Sequence, residues 1–168
     1  MRKIIFLDID GVLNTERNHE YCHKNNLPNS DEYGYLFDPK SVSNLTTIVE
    51  ETGANIVISS SWKYSGISVL LDIWNNRSLP GKVIDITPNT VSDEHLMHAD
   101  LENMELIGYK GHEIKEWLSA QGKNISNYVI LDDEANMLSE QQDHFVQINP
   151  ITGISEEDAK RAIQILNM

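Results

Sequence analysis

The sequence predicts an α/β protein built on an open parallel sheet of about five strands with helices on both faces. Three observations predict it. Short apolar runs recur along the chain, segments with helical spacing lie between them, and no hairpin signal joins one run to the next.

The first run, Lys3–Leu7, has the unbroken apolar character of a strand buried on both faces. It ends at Asp8-Ile9-Asp10-Gly11. Asn14 to Phe37 is polar and without sustained periodicity, so it is expected to be a loop or flap over the strand end, with a short hairpin near Tyr33–Phe37. Its His19, Tyr21, His23, Tyr33, Tyr35 and Phe37 could touch a substrate or pin the loop to the body. Asp38 and Pro39 start a helix as N-cap and first helical residue. Val42, Leu45, Ile48 and Val49 recur at helical spacing to about Glu51, and Gly53 closes it. Asn55–Ser59 is the second strand. Ser65 or Gly66 to about Asn75 is a helix with Ile67, Leu70, Leu71 and Trp74 facing inward.

Pro80-Gly81 turns into a third strand, Lys82–Ile86, ended by Thr87-Pro88. Thr90 to Tyr109 is polar and irregular. Its His95 and His98 show no metal-binding spacing, so it is read as a connecting segment. A helix over Gly111–Gln121, with Ile114, Trp117 and Leu118 inward, stops at Gly122. Asn127–Leu131 and Phe145–Ile148 are the fourth and fifth strands. Ser155-Glu156-Glu157-Asp158 opens the last helix, whose inward stripe is Ala159, Ala162, Ile163 and Leu166. The alternation is Rossmann-like. In such sheets ligands sit beyond the carboxyl ends of the strands, a rule that brings Asp8, Ser59 and Asp132 to one edge.

A length of 168 residues is most economically one domain, with an insert at about 14–37. No apolar run reaches membrane-spanning length and no signal peptide is visible, so a cytoplasmic protein without membrane contact is expected. Cys22 is the single cysteine; it excludes an internal disulfide and fits a reducing compartment. The net charge is −13, and Lys and Arg form no cluster. Polyanions would be repelled at long range, which makes a nucleic-acid partner less favoured than a phosphorylated protein or a small phosphate ester.

Chemistry concentrates at Asp8 and Asp10. A carboxylate at a buried strand end is costly unless it is paired or binds a metal. In an extended chain these two share one side while Ile9 faces the other. Both can approach one ligand, and Gly11 lets the backbone turn away. Asp8-Ile9-Asp10-Gly11-Val12-Leu13-Asn14 resembles the first motif of the haloacid dehalogenase (HAD) superfamily, whose members are mostly phosphohydrolases and phosphotransferases. Three later stretches stand in the superfamily's order: Ser59-Ser60-Ser61-Trp62 after the second strand, Lys110 before a helix, and Leu131-Asp132-Asp133-Glu134 after the fourth strand. Ile58–Trp62 and Val129–Asp133 also resemble, more weakly, an HAD branch found in RNA-repair proteins.

The resemblance implies a Mg2+-dependent phosphomonoesterase that works through an aspartyl-phosphate. Asp8 would be the nucleophile and Asp10 the acid and base. Ser59, with Ser60 as the alternative, would bind a phosphoryl oxygen beside Gly11. Lys110, with Lys115 as the alternative, would pair with Asp8 and the phosphate. The Mg2+ ligands would be the Asp8 carboxylate, the Asp10 main-chain carbonyl and Asp132, with Asp133 ligating through water or from the outer shell. Asn136 stands where many relatives carry another Asp. Without room for a large cap domain the site should be open, as in relatives acting on macromolecules. A phosphoprotein, including one carrying phosphotyrosine held by the aromatic flap, is the expected substrate. The alternatives are a 3′ or 5′ phosphate at a nucleic-acid end, or a catalytically silent binding module.

Overall fold

A computed structural model describes residues 2–89, 109–121 and 124–168. Five parallel strands form the sheet: β1 (Arg2–Leu7), β4 (Asn55–Ile58), β5 (Val83–Ile86), β6 (Ile125–Asp132) and β7 (Phe145–Gln147), in the order β5-β4-β1-β6-β7. β1 is central. Its Ile5 pairs in register with Ile56 on one side and Val129 on the other. Because side chains alternate across a strand, Ile5 and Leu7 join one apolar cluster and Ile4 and Phe6 the other.

The first cluster is closed by α2 (Pro39–Thr52), α3 (Ile67–Asn76) and α5 (Glu156–Leu166). The second is closed by α4 (Tyr109–Gln121), whose Trp117 meets Phe6 edge-on with ring centroids 5.4 Å apart. Helices on both faces of a parallel sheet are the predicted architecture, and no large cap domain is present among the described residues. None of the described helices is long and apolar enough to cross a membrane.

The predicted caps form. The Asp38 carboxylate accepts from the Lys40 amide, and Ser155 and Asp158 make a reciprocal capping box. Two inward stripes shift. In α3, Leu71 is exposed and Ile73 is buried beside Leu70 and Trp74, because the stripe that faces the sheet is the i, i+3, i+4 set of Leu70, Ile73 and Trp74. In α5, Ile165 is buried and Ile163 only partly so.

The larger correction concerns 14–37. Instead of a loop, Glu16–Lys24 forms helix α1; the expected short hairpin does form, but earlier than Tyr33–Phe37, from the two-residue strands β2 (Ser30–Asp31) and β3 (Gly34–Tyr35). An apolar stripe cannot reveal α1, since Cys22 is its one buried residue. Polar contacts hold it in place. Thr15 caps it by accepting from the Asn18 amide, and the Glu16 and Arg17 amides donate to the carbonyls of Pro150 and Ile151. Arg17 reaches Asp38 at 2.6 Å. Cys22 is accordingly on a helix and buried, not in a loop. The connecting segment with His95 and His98 lies outside the described residues, apart from Tyr109, which opens α4.

Candidate active site

The site is assembled where β1, β4 and β6 end together. The ladder runs one residue past the strands: the Asp8 amide donates to Leu131 O at 3.0 Å, and the Ser59 amide to Leu7 O at 2.9 Å. Parallel pairing with β1 therefore places Asp8, Ser59 and Asp132 at one edge. A cavity of about 430 Å3 opens there, a volume suited to a small ligand or to one end of a larger one. It is lined by Asp8, Asp10, Gly11, Ser59, Ser60, Lys110 and Asp133, so, the alternative Lys115 aside, of the residues to which the resemblance gives a catalytic, phosphate or metal role only Asp132 is not in its wall. Asp132 lies fully buried just beneath.

Lys110 arrives from the first turn of α4, where the predicted helix had placed it just outside. Gly111 permits the approach. Its amide donates to Asn136 O at 3.2 Å, and a Cβ there would fall 2.7 Å from the Leu138 nitrogen. The Lys110 ammonium donates to Asp8 Oδ2 at 2.7 Å and to Asp132 Oδ2 at 2.8 Å. Lys115 instead pairs with Glu140 at 2.9 Å on an exposed face, which removes it as the alternative cation.

Oxygens of Asp8, Asp132 and Asp133 all lie within 4.8 Å of one another. Three carboxylates against one ammonium leave an excess of about two negative charges, and the consequences are electrostatic. Burial first, then the Asp8 charge, pushes the Asp132 carboxyl up to about 7 against the pull of Lys110. Asp133 is raised by the same two causes in the same order. Burial opposes the Lys110 ammonium, but the charges of Asp132 and Asp8 outweigh it and hold the amine above its ordinary range. Hard oxygen donors with this charge excess fit a divalent cation such as Mg2+.

Gly11 makes the crowding tolerable. Its φ is +73°, and a Cβ on it would stand 2.8 Å from the Asp133 carboxylate and 3.0 Å from Pro150.

The Asp10 carboxylate stands outside the three-carboxylate group and is exposed. Asn14 Nδ2 donates to its Oδ1 at 2.6 Å, and Trp62 Nε1 lies 3.1 Å from both of its oxygens. Across the cavity, the hydroxyls of Ser59 and Ser60 are buried and find no hydrogen-bond partner among the described residues. An unpaired buried hydroxyl costs about 1–3 kcal/mol, so both are available to a ligand's oxygens. The choice between them stays open because both line the cavity.

Several neighbours were not singled out by sequence reasoning. Lys63 and Glu113 form a buried ion pair at 2.5 Å in the cavity wall, and Thr87 Oγ1 accepts from the same amine at 3.2 Å. Nothing in the local sequence joins residues 50 positions apart. Tyr109 and Tyr64 share a hydroxyl contact of 3.2 Å at the rim. Of the flap aromatics, His19 lines the cavity; the Tyr35 ring packs against the His19 ring at a tilt of 39°, while Phe37 is buried beneath Trp62. Asn136 bonds Glu134 at 3.0 Å rather than entering the carboxylate group.

A family model described as the HAD domain in Swiss Army Knife RNA repair proteins matches residues 4–159. Neither the curated proteins nor the solved structures searched contained a match. With the match running from β1 into the last helix, and the motif residues meeting at one sheet edge, the chain belongs to the HAD-like domain family of Swiss Army Knife RNA repair proteins.

Proposed function

We propose that this protein is a phosphomonoester hydrolase working through an aspartyl-phosphate, with Mg2+ held by Asp8, Asp132 and Asp133. The observation that carries the reading is Lys110 bridging Asp8 and Asp132 at 2.7 and 2.8 Å, opposite two unpaired buried hydroxyls. Bound there, the cation would draw charge from the phosphoryl oxygens.

The chain's own groups do the rest. Ser59 or Ser60 and Lys110 hold the phosphoryl oxygens. Asp8 is the nucleophile: its oxygen forms a bond to phosphorus as the ester P–O bond breaks, and protonated Asp10 gives its proton to the departing oxygen. Water then adds to phosphorus, its proton goes to the Asp10 carboxylate, and Asp8 is released with inorganic phosphate. One ester and one water yield one alcohol and one phosphate.

Membership of a family found in RNA repair proteins favours a phosphate carried by RNA as substrate. The net charge of −13 favours a phosphoprotein instead. Hydrolysis of p-nitrophenyl phosphate with Mg2+ tests the class: activity is expected, and should vanish with EDTA or in Asp8→Asn. Undiminished turnover by Asp8→Asn would remove the aspartyl-phosphate. A phosphotyrosine peptide run against oligonucleotides with 3′ or 5′ phosphate decides the substrate.

A further inference from the structure

Asp10 has a structural problem that Asp8 does not. Asp8 is clamped by Lys110 and by the Ile9 amide, which donates to its Oδ1 at 2.8 Å. Asp10 is exposed, on the loop beyond β1, and its carboxylate would otherwise rotate freely. A proton donor must sit within hydrogen-bond reach of the leaving oxygen, and a misplacement of about 1 Å can cost about a hundredfold in rate.

The two groups that restrain Asp10 differ in origin. Asn14 belongs to the same turn and also takes the Gly11 amide at 3.3 Å. Trp62 comes from the segment after β4, directly following Ser59, Ser60 and Ser61. Its indole N–H points between the two carboxylate oxygens, 3.1 Å from each. It therefore ties the Asp10 side chain to the loop that carries the buried hydroxyls, across a gap that local chain geometry does not control.

The indole is itself immobilised. Phe37 packs on it with centroids 5.6 Å apart, and the Arg77 guanidinium lies 6.0 Å from its ring centre. Arg77 is forked onto Asp31 at 2.6 and 2.9 Å and bonds the carbonyls of Gly34 and Tyr35, so the β2–β3 hairpin latches the stack. The other two tryptophans send their N–H groups elsewhere, Trp74 to Pro80 O and Trp117 to Asp85.

We propose that Trp62 is the positioning residue for Asp10, its indole N–H fixing the carboxylate in the orientation from which it protonates the leaving oxygen. This rests on the phosphohydrolase reading above. Trp62→Phe keeps a ring against Phe37 and Arg77 and removes the donor. Phenyl phosphate needs its leaving oxygen protonated, whereas p-nitrophenolate departs readily unaided. In Trp62→Phe, kcat/KM for phenyl phosphate should fall by about tenfold or more, and for p-nitrophenyl phosphate by less than about threefold. Asp10→Asn should show the same discrimination more strongly, and Trp62→Phe/Asp10→Asn should be no worse than Asp10→Asn alone.

Equal losses on both esters, no loss, or additive losses in the double variant would overturn the role of Trp62 and leave the phosphohydrolase intact. A wild type inert toward both esters with Mg2+ would overturn both readings together. Should Trp62→Phe fail to fold, the contact is read from the other side. Asp10→Ala should move the Trp62 indole N–H resonance while those of Trp74 and Trp117 stay in place, and an unmoved Trp62 signal would refute the proposal.

Discussion

Lys63 and Glu113 face each other at 2.5 Å with side chains only 3% and 2% exposed, a fully buried ion pair in the wall of the cavity. Removing one partner leaves an uncompensated charge on a buried side chain. Glu113→Ala should cost about 3–5 kcal/mol in chemical denaturation, and Lys63→Met about as much. The double substitution Lys63→Met/Glu113→Leu should recover most of the loss, because apolar replacement of a buried pair is near neutral.

Lys110 balances Asp8 and Asp132 at once. Lys110→Met is expected to lower kcat/KM by about a hundred- to a thousandfold. It should also lower stability measured in EDTA, and saturating Mg2+ should restore the stability but not the rate. Thermal melts with and without the ion check this.

A cation on the three carboxylates would stabilise the folded chain whether or not turnover occurs. At about 100 times its dissociation constant Mg2+ should add about 2.7 kcal/mol, a rise of several degrees in melting temperature. Asp132→Asn and Asp133→Asn should each blunt that rise. Differential scanning calorimetry in Mg2+ and in EDTA measures it.

Gly11→Ala meets two obstacles, a φ of +73° and the Asp133 carboxylate 2.8 Å from the new Cβ. A loss of about 1–3 kcal/mol is expected from the backbone alone. Displacing Asp133 should also weaken the Mg2+-dependent rise in melting temperature, which a purely conformational cost would not do.

Asp38 supplies a pH dependence away from the site. Burial alone would raise its carboxyl, but Thr15, Arg17 and the Lys40 amide together hold it below the ordinary aspartate value. A depressed folded-state pKa means the stabilisation is fully present above about pH 3.9 and is lost as pH falls through the folded value. Acid unfolding of wild type and Asp38→Ala should therefore converge at low pH and separate above that point, with wild type the more stable.

The parallel sheet, its two layers of helices and the caps at Asp38 and Ser155 follow from local pattern. Apolar periodicity and capping chemistry act over a few residues, so a linear reading captures them. Asp8 stands out by its place at the end of a buried strand, whereas Ser59, Lys110 and Asp132 are singled out because the resemblance to the HAD superfamily implies such residues in that order. Helix α1 escaped because its stability comes from Thr15, Asp38, Pro150 and Ile151 rather than from an apolar face. Trp62 was legible as part of the stretch after β4 but not as a partner of Asp10, 52 residues away.

Alone, the order of residues determined where strands end, and with them the sheet edge at which Asp8, Ser59 and Asp132 meet, because burial and chain direction are written in local composition. Only the folded chain decided that Lys110 bridges two carboxylates, that Lys63 is neutralised by Glu113, and that an indole from one loop restrains an acid from another. Those outcomes depend on distances between segments far apart in sequence, which parallel pairing around β1 creates and no local pattern encodes.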